Sequence, residues 1–177
     1  MAVWRGVLLG GEFGPAFNTS VQEDEAQRLA VLAEGARVLE VGSAYGYSAA
    51  VMALGGAVSV AAVDPHTSVR SAMIMEANLK ALMVWHLVTM IPEYSETALP
   101  RMIAAGSKFD LIFVDGNHLG EAALADAEAS QQLLNPGGTL LFHDYGDPDC
   151  PDVKPVLDFL YPGGPDCLTS TLWEKQL

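Results

Sequence analysis

Val38-Leu39-Glu40-Val41-Gly42-Ser43-Ala44-Tyr45-Gly46-Tyr47-Ser48-Ala49-Ala50 decides the fold. Arg37 to Val41 reads as a short buried strand, apolar apart from Arg37 and Glu40 and rich in Val and Leu. Gly42 and Gly46 bracket a tight loop, and Tyr47 to Leu54 has the Ala, Met and Leu content of a helix. A strand carrying an acid, a Gly-x-x-x-Gly turn and a helix N-terminus make a nucleotide-sized binding edge. Glycine suits that edge because a side chain would block close approach of a ligand to the backbone. The turn lacks the Gly-x-Gly-x-x-Gly of nicotinamide-binding units, so no pyrophosphate cradle is spelled out. The acid Glu40 suits a cationic ligand instead.

Outward from this stretch the chain alternates strand and helix. A helix from Val21 to Glu34, opened by the capping-box pattern Ser20-Val21-Gln22-Glu23, precedes it. Strands follow at 57–63, 87–91, 111–114 and 139–142, separated by helices at 47–54, 68–83, 97–105 and 121–134. A helix at 153–160 and a closing strand at 168–174 end the chain. Near-continuous apolar strands between helices predict a parallel sheet covered on both faces. The expectation is one α/β domain over 1–177, with a Gly-rich, aromatic arm at 1–20 and the α/β core at 21–177. Met52, Met73, Met75, Met83 and Met90 fall on helix or strand faces as core.

Composition narrows the partners. The chain has 177 residues, half of them hydrophobic, and a net charge of −13. Nucleic-acid binding depends on Lys and Arg neutralising phosphates, and no such cluster occurs. Cys150 and Cys167 have no metal spacing and are too few for a disulfide framework. No apolar run reaches the ~20 residues of a membrane span. A soluble, cytoplasmic protein without nucleic-acid or membrane partners is expected. Trp4, Phe13 and Phe17 in the arm suit either covering a substrate or packing between subunits of a homo-oligomer.

Each strand's carboxyl end carries a ligand-capable residue: Glu40 and Gly42, Asp64, Ser95, Asp115, then His143-Asp144. Ligands of open α/β sheets bind at those ends. Asp64 is placed to accept both hydroxyls of a ribose, roughly 20 residues beyond the first acid. The alternative is that it caps the helix after Pro65. Asp115 and His143-Asp144 lie at adjacent strand ends, where their side chains can converge on one pocket. Hard oxygen ligands with retained waters suit Mg²⁺, whereas an imidazole tilts the site toward a transition ion such as Mn²⁺. The alternative is that Asp115 and Asp144 only satisfy loop amides. His118, three residues past Asp115, can act as a general base near neutral pH or cap the helix near Glu121. His66 suits either stacking on a base or a solvent-facing loop.

Val-Leu-Glu-Val-Gly…Gly-Tyr-Ser resembles motif I of class I S-adenosylmethionine-dependent methyltransferases, particularly the catechol and caffeoyl-CoA types. A second stretch is longer: Phe109 to His118, then Pro136-Gly137-Gly138-Thr139-Leu140-Leu141-Phe142-His143-Asp144-Tyr145. It resembles the macrocin-type and related metal-dependent small O-methyltransferases, and Thr171-Leu172-Trp173 echoes that family's last strand. The resemblance implies a Rossmann-like class I methyltransferase fold, mostly parallel and seven-stranded. It implies S-adenosylmethionine along Glu40, Gly42, Ser43, Gly46, Ser48, Asp64, Pro65, Ser95 and Asp115. It further implies Mg²⁺ or another divalent cation at Asp115, Asp144 and His143, with Asp115 and His118 catalytic, acting on a hydroxylated small molecule. Catechol-type enzymes end the metal set with an acid followed by an amide and keep a lysine where His118 stands; here the pair is His-Asp. Asn117 replaces an acid common in macrocin-type relatives, and Asp126 is expected to make a structural bond. Two rivals remain at this point: a metal-independent methyltransferase, and a cofactor-binding protein without turnover. A nicotinamide oxidoreductase is disfavoured by the missing Gly-x-Gly.

Overall fold

The computed structural model describes residues 21–177. Ser20 and the aromatic residues of the arm therefore lie outside the described residues. Seven strands form one sheet: β1 (Arg37–Val41), β2 (Ser59–Val63), β3 (Val88–Ile91), β4 (Phe109–Val114), β5 (Leu134–Phe142), β6 (Cys167–Thr169) and β7 (Leu172–Gln176). Their spatial order is β3-β2-β1-β4-β5-β7-β6. All neighbours are parallel except β7, which runs antiparallel to both β5 and β6. The helices are α1 (Glu23–Leu32), α2 (Tyr47–Leu54), α3 (Val69–Ala81), α4 (Ser95–Ala104), α5 (Gly120–Leu133) and α6 (Val153–Leu160). None of them is long and apolar enough to cross a membrane.

Side chains alternate faces along a strand, and the two cores follow that parity. Val38, Val60, Leu111, Phe113 and Leu141 pack with α1, α2 and α3. Leu39, Val63, Ile112, Leu140 and Phe142 pack on the other face with α4, α5 and α6. Glu40 shares the parity of Val38, so it points into the first core rather than toward water. His143 shares the parity of Leu141 and faces the same way, its ring edge-to-face with Phe113 at 6.3 Å.

Four expectations are corrected. The α1 cap is Gln22, whose backbone N–H donates to Glu25 Oε2 at 2.7 Å. The capping pattern at Ser20 lies outside the described residues, and the helix itself opens at Glu23 rather than Val21. The closing strand is a hairpin, broken at Ser170, whose φ of +52° turns the chain between β6 and β7. Asn135 to Gly138 lie inside β5, where the pairing register to β4 slips between Phe109 and Leu111. Met52 and Met75 are core, but Met73 and Met83 are 65% and 80% exposed.

Candidate active site

The strand order reverses between β1 and β4, the place where α/β sheets open a ligand crevice. A cavity of about 670 Å³ lies there, lined among others by Gly42, Ala44, Asp64, Asp115, His118 and Asp144. That volume falls within the range of small-molecule sites.

The glycine loop forms one wall. Gly42 has φ +90°, and a Cβ there would sit 2.0 Å from the Asp115 carbonyl oxygen. The close approach that demands glycine is thus between two loops of the protein, not only between backbone and ligand. Ala44 also has positive φ (+43°), unusual for a residue with a Cβ. Its N–H donates to Asp64 Oδ2 at 2.8 Å, while Asp64 Oδ1 accepts the His66 N–H at 2.8 Å. Asp64 therefore ties the β1 and β2 loops together and does not cap α3, a task taken by Ser68. Each carboxylate oxygen keeps a further lone pair for a ligand hydroxyl. His66 is not solvent-facing: its side chain is only 2% exposed.

Glu40 lies beneath this loop, fully buried and accepting a short hydrogen bond from Ser48 Oγ. Burial pushes its carboxyl up to about 8 against the Ser48 bond, so it is neutral at pH 7. Its second oxygen has no hydrogen-bond partner among the described residues. Ser43 is also buried, its hydroxyl toward Met75 Sδ at 3.5 Å. Gly46 is the left-handed cap of α2. Of the nine residues expected along the cofactor, Gly42, Asp64, Pro65, Ser95 and Asp115 line the cavity. Glu40, Ser43, Gly46 and Ser48 shape the loop from behind. Burial raises the Asp126 carboxyl to about 6, with Ser95 beside it, and its Oδ2 has no hydrogen-bond partner among the described residues.

The other wall is dense in charge. Parity and the β4–β5 register bring Asp115 and His143 to one face, since Val114 pairs with Phe142 just before them. His143 Nδ1 lies 2.9 Å from Asp144 Oδ1 and 3.4 Å from Asp115 Oδ1. His118 Nε2 lies 2.9 Å from Asp144 Oδ2 and 3.5 Å from Asp115 Oδ1, near enough to pair but poorly aligned. Asp144 holds φ +60°, the left-handed region in which acids and amides are tolerated best. Contacts with Asp115 and Asp144 push His118 up to about 9, despite its partial burial. It does not cap α5: Leu119 holds that place, and its N–H donates to Asn117 Oδ1. Burial opposes charge on His143, but bonds to Asp115, Asp144 and Glu25 outweigh it and carry the imidazole up to about 12. Asp144 is held well below the usual carboxylate range, because His118 and His143 outweigh its burial.

Among the described residues, two groups of side chains bring ligand atoms within 4.8 Å of one another: Asp115 with His143 and Asp144, and His118 with Asp144 and Cys150. Burial and the nearby Asp144 push the Cys150 thiol up to about 11, and its soft sulfur suits a hard cation less well than the carboxylates do. The first group offers two hard oxygens and one nitrogen, a donor set that fits Mg²⁺ or Mn²⁺. Its residues are those the sequence marked.

Glu25 was missed. It is fully buried on α1, and its Oε2 lies 3.0 Å from His143 Nε2. The signal was present: Glu25 falls four residues after Val21 and four before Leu29, an acid within the apolar stripe of a helix. Gln22, Asp147, Asp149, Cys150 and Thr171 also line the cavity and carried no readable motif.

A sheet of this order, with a glycine turn after β1 and acids at the ends of β2, β4 and β5, defines the class I methyltransferase architecture. Residues 39–145 match the methyltransferase domain family, and the chain belongs to it. Solved structures agree on the fold. An O-methyltransferase from Bacillus cereus in complex with SAH is 21% identical, with a TM-score of 0.70 over 90% of this chain and 77% of that one. Cofactor-bound Rv0187 from MTB is 23% identical, with a TM-score of 0.70 over 89% of this chain and 75% of that one. The O-methyltransferase TomG from Streptomyces achromogenes, involved in tomaymycin synthesis and in complex with SAM, is 24% identical, with a TM-score of 0.68 over 84% and 72%. No curated protein sequence matches the chain.

Proposed function

We propose that this chain is an S-adenosylmethionine-dependent O-methyltransferase that acts on a hydroxyl of a small molecule with the help of a divalent cation. The observation that carries the proposal is the convergence of Asp115, His143 and Asp144 within 4.8 Å, beside His118 and in the cavity that Asp64 also lines. Solved proteins of this fold are O-methyltransferases holding SAM or SAH, which supports the same cofactor here.

Asp64 accepts the ribose hydroxyls in this reading, while Gly42 and Ala44 leave room along the loop and Ser95 edges the adenine. S-adenosylmethionine supplies an electrophilic methyl group on a sulfonium. Asp115, Asp144 and the Nδ1 of His143 would hold the cation, which when bound would lower the pKa of a hydroxyl and stabilise its anion. His118 takes the acceptor's proton at Nε2, the acceptor oxygen bonds to the methyl carbon, and the carbon–sulfur bond breaks to leave S-adenosylhomocysteine. The residues' main contribution is alignment and charge stabilisation of that in-line transfer.

A second reading has its own support. His143 is proton-bearing between Glu25, Asp115 and Asp144, and an imidazolium there supplies the positive charge that a metal would. Methyl transfer to a panel of phenols and sugars, with and without exhaustive chelation, separates the two. The metal-assisted reading expects activity that chelation removes and Mg²⁺ or Mn²⁺ restores, and that is lost in Asp144→Ala and Asp115→Ala. Activity that survives chelation establishes the metal-independent one. Tight S-adenosylhomocysteine binding with no transfer to any hydroxyl overturns the enzyme assignment.

A further inference from the structure

We infer that Glu25 is a positioning residue of the active site: through Oε2 it takes the Nε2–H of His143 and so turns Nδ1 toward Asp115 and Asp144. The inference rests on the metal-assisted reading for its consequence, though not for its geometry.

Four donors surround the Glu25 carboxylate. Oε2 receives the Gln22 N–H at 2.7 Å and faces His143 Nε2 at 3.0 Å. Oε1 receives the Thr171 N–H and the Thr171 hydroxyl, both at 2.9 Å. The backbone donors and the hydroxyl act on a carboxylate with no exposed surface. Each of its oxygens already accepts a backbone N–H, from Gln22 and from Thr171, so the carboxylate meets its neighbours as an acceptor. An ionised carboxylate accepts and cannot donate, so the nitrogen facing it must carry hydrogen. That leaves Nδ1 as the atom presented to the site, 2.9 Å from Asp144. A carboxylate behind an imidazole is the usual means of orienting a histidine ligand and raising its basicity. Glu25 reaches the site from a helix 118 residues away in sequence, with no exposure to the cavity of its own.

The same carboxylate also ties α1 to the β6–β7 turn, so the test must separate tie from orientation. Glu25→Gln keeps the shape but offers an N–H₂ that can face His143. Thr171→Val breaks the side-chain tie and leaves the imidazole contact. The readouts are the His143 ring N–H in ¹⁵N-resolved NMR of the whole protein with and without Mg²⁺, assigned by its loss in His143→Gln, and Mn²⁺ affinity by EPR titration. In the wild type a solvent-protected Nε2–H is expected in both states. Glu25→Gln should lose it and bind Mn²⁺ about 10–100-fold more weakly, with S-adenosylhomocysteine affinity unchanged. Thr171→Val should keep both signals. A wild-type ring protonated only at Nδ1 overturns the inference, and that measurement stands even if Glu25→Gln fails to fold. So does an unchanged ring signal in Glu25→Gln, or a Thr171→Val protein that matches it. A wild type that binds no Mn²⁺ breaks the metal-assisted reading instead, and the ring signal then decides the role of Glu25.

Discussion

The two walls of the cavity are built on opposite principles. The β1–β2 wall is shaped: glycines and a left-handed alanine, an uncharged buried acid, and one carboxylate already bonded to two backbone amides. The β4–β5 wall is charged: three acids and two imidazoles within a few bonds of one another, with little steric demand. Shape tolerates no added atom, whereas charge tolerates replacement but changes what is protonated. Substitutions on the first wall should therefore be read out in folding and binding, and those on the second in turnover and pH dependence.

The largest effect is expected at Gly42. Gly42→Val places a branched side chain at φ +90° against the Asp115 backbone, and should cost more than about 4 kcal/mol or prevent folding. Gly106→Ala is the comparison: its φ is +70° but nothing lies within 4 Å of a Cβ, so about 1 kcal/mol of strain is expected. Chemical denaturation of the two variants checks the contrast, and equal midpoints would break it.

On the charged wall, His118→Ala should lower turnover by ~10²–10⁴ while leaving cofactor affinity intact. Because His118 is raised to about 9, it is protonated at pH 7. In the metal-free protein an NMR titration of the His118 ring should therefore show its inflection near 9. With the ion present the inflection should move back toward neutrality, since Asp115 and Asp144 are then shared. A flat profile in the wild type would remove His118 as the base.

Asp64→Ala comes next. It removes hydrogen bonds worth about 0.5–1.5 kcal/mol each and releases Ala44, so calorimetry should show S-adenosylhomocysteine binding weakened about tenfold or more with turnover at saturation little changed. Glu40 bears on pH dependence instead. Its folded carboxyl titrates near 8 against an ordinary 4.5, so the folded state holds the proton that the unfolded state has lost. Its contribution is present below about 4.5 and is lost as pH rises through about 8. The Tm of Glu40→Gln should fall less than that of the wild type across this window.

Much of this was legible in the sequence because the strands carry their periodicity on adjacent residues and the acids stand at strand ends. Asp115, His143 and Asp144 are marked by their strand-end positions, and His118 by its spacing from Asp115 together with the family resemblance. Glu25 was not, because its partner lies far along the chain and an acid in a helix looks like solvent-facing charge. The raised value of His118 needed the positions of two carboxylates, which spacing does not supply. At Gly42 the sequence shows a residue without a side chain; what approaches it is a matter of tertiary packing. The β6–β7 break turns on the backbone of Ser170, a residue type that gives no glycine-like signal for a positive φ.

The contact between Gly42 and the Asp115 carbonyl also has a mechanical meaning. Two loops that touch backbone to backbone have no compliant side chain between them to absorb a displacement. Close-packed interiors transmit strain rather than damp it, and this seam is stiffer than most. A shift of the glycine loop by a few tenths of an ångström is passed directly to the strand end that carries Asp115. The cavity's two walls therefore move as one jaw rather than two.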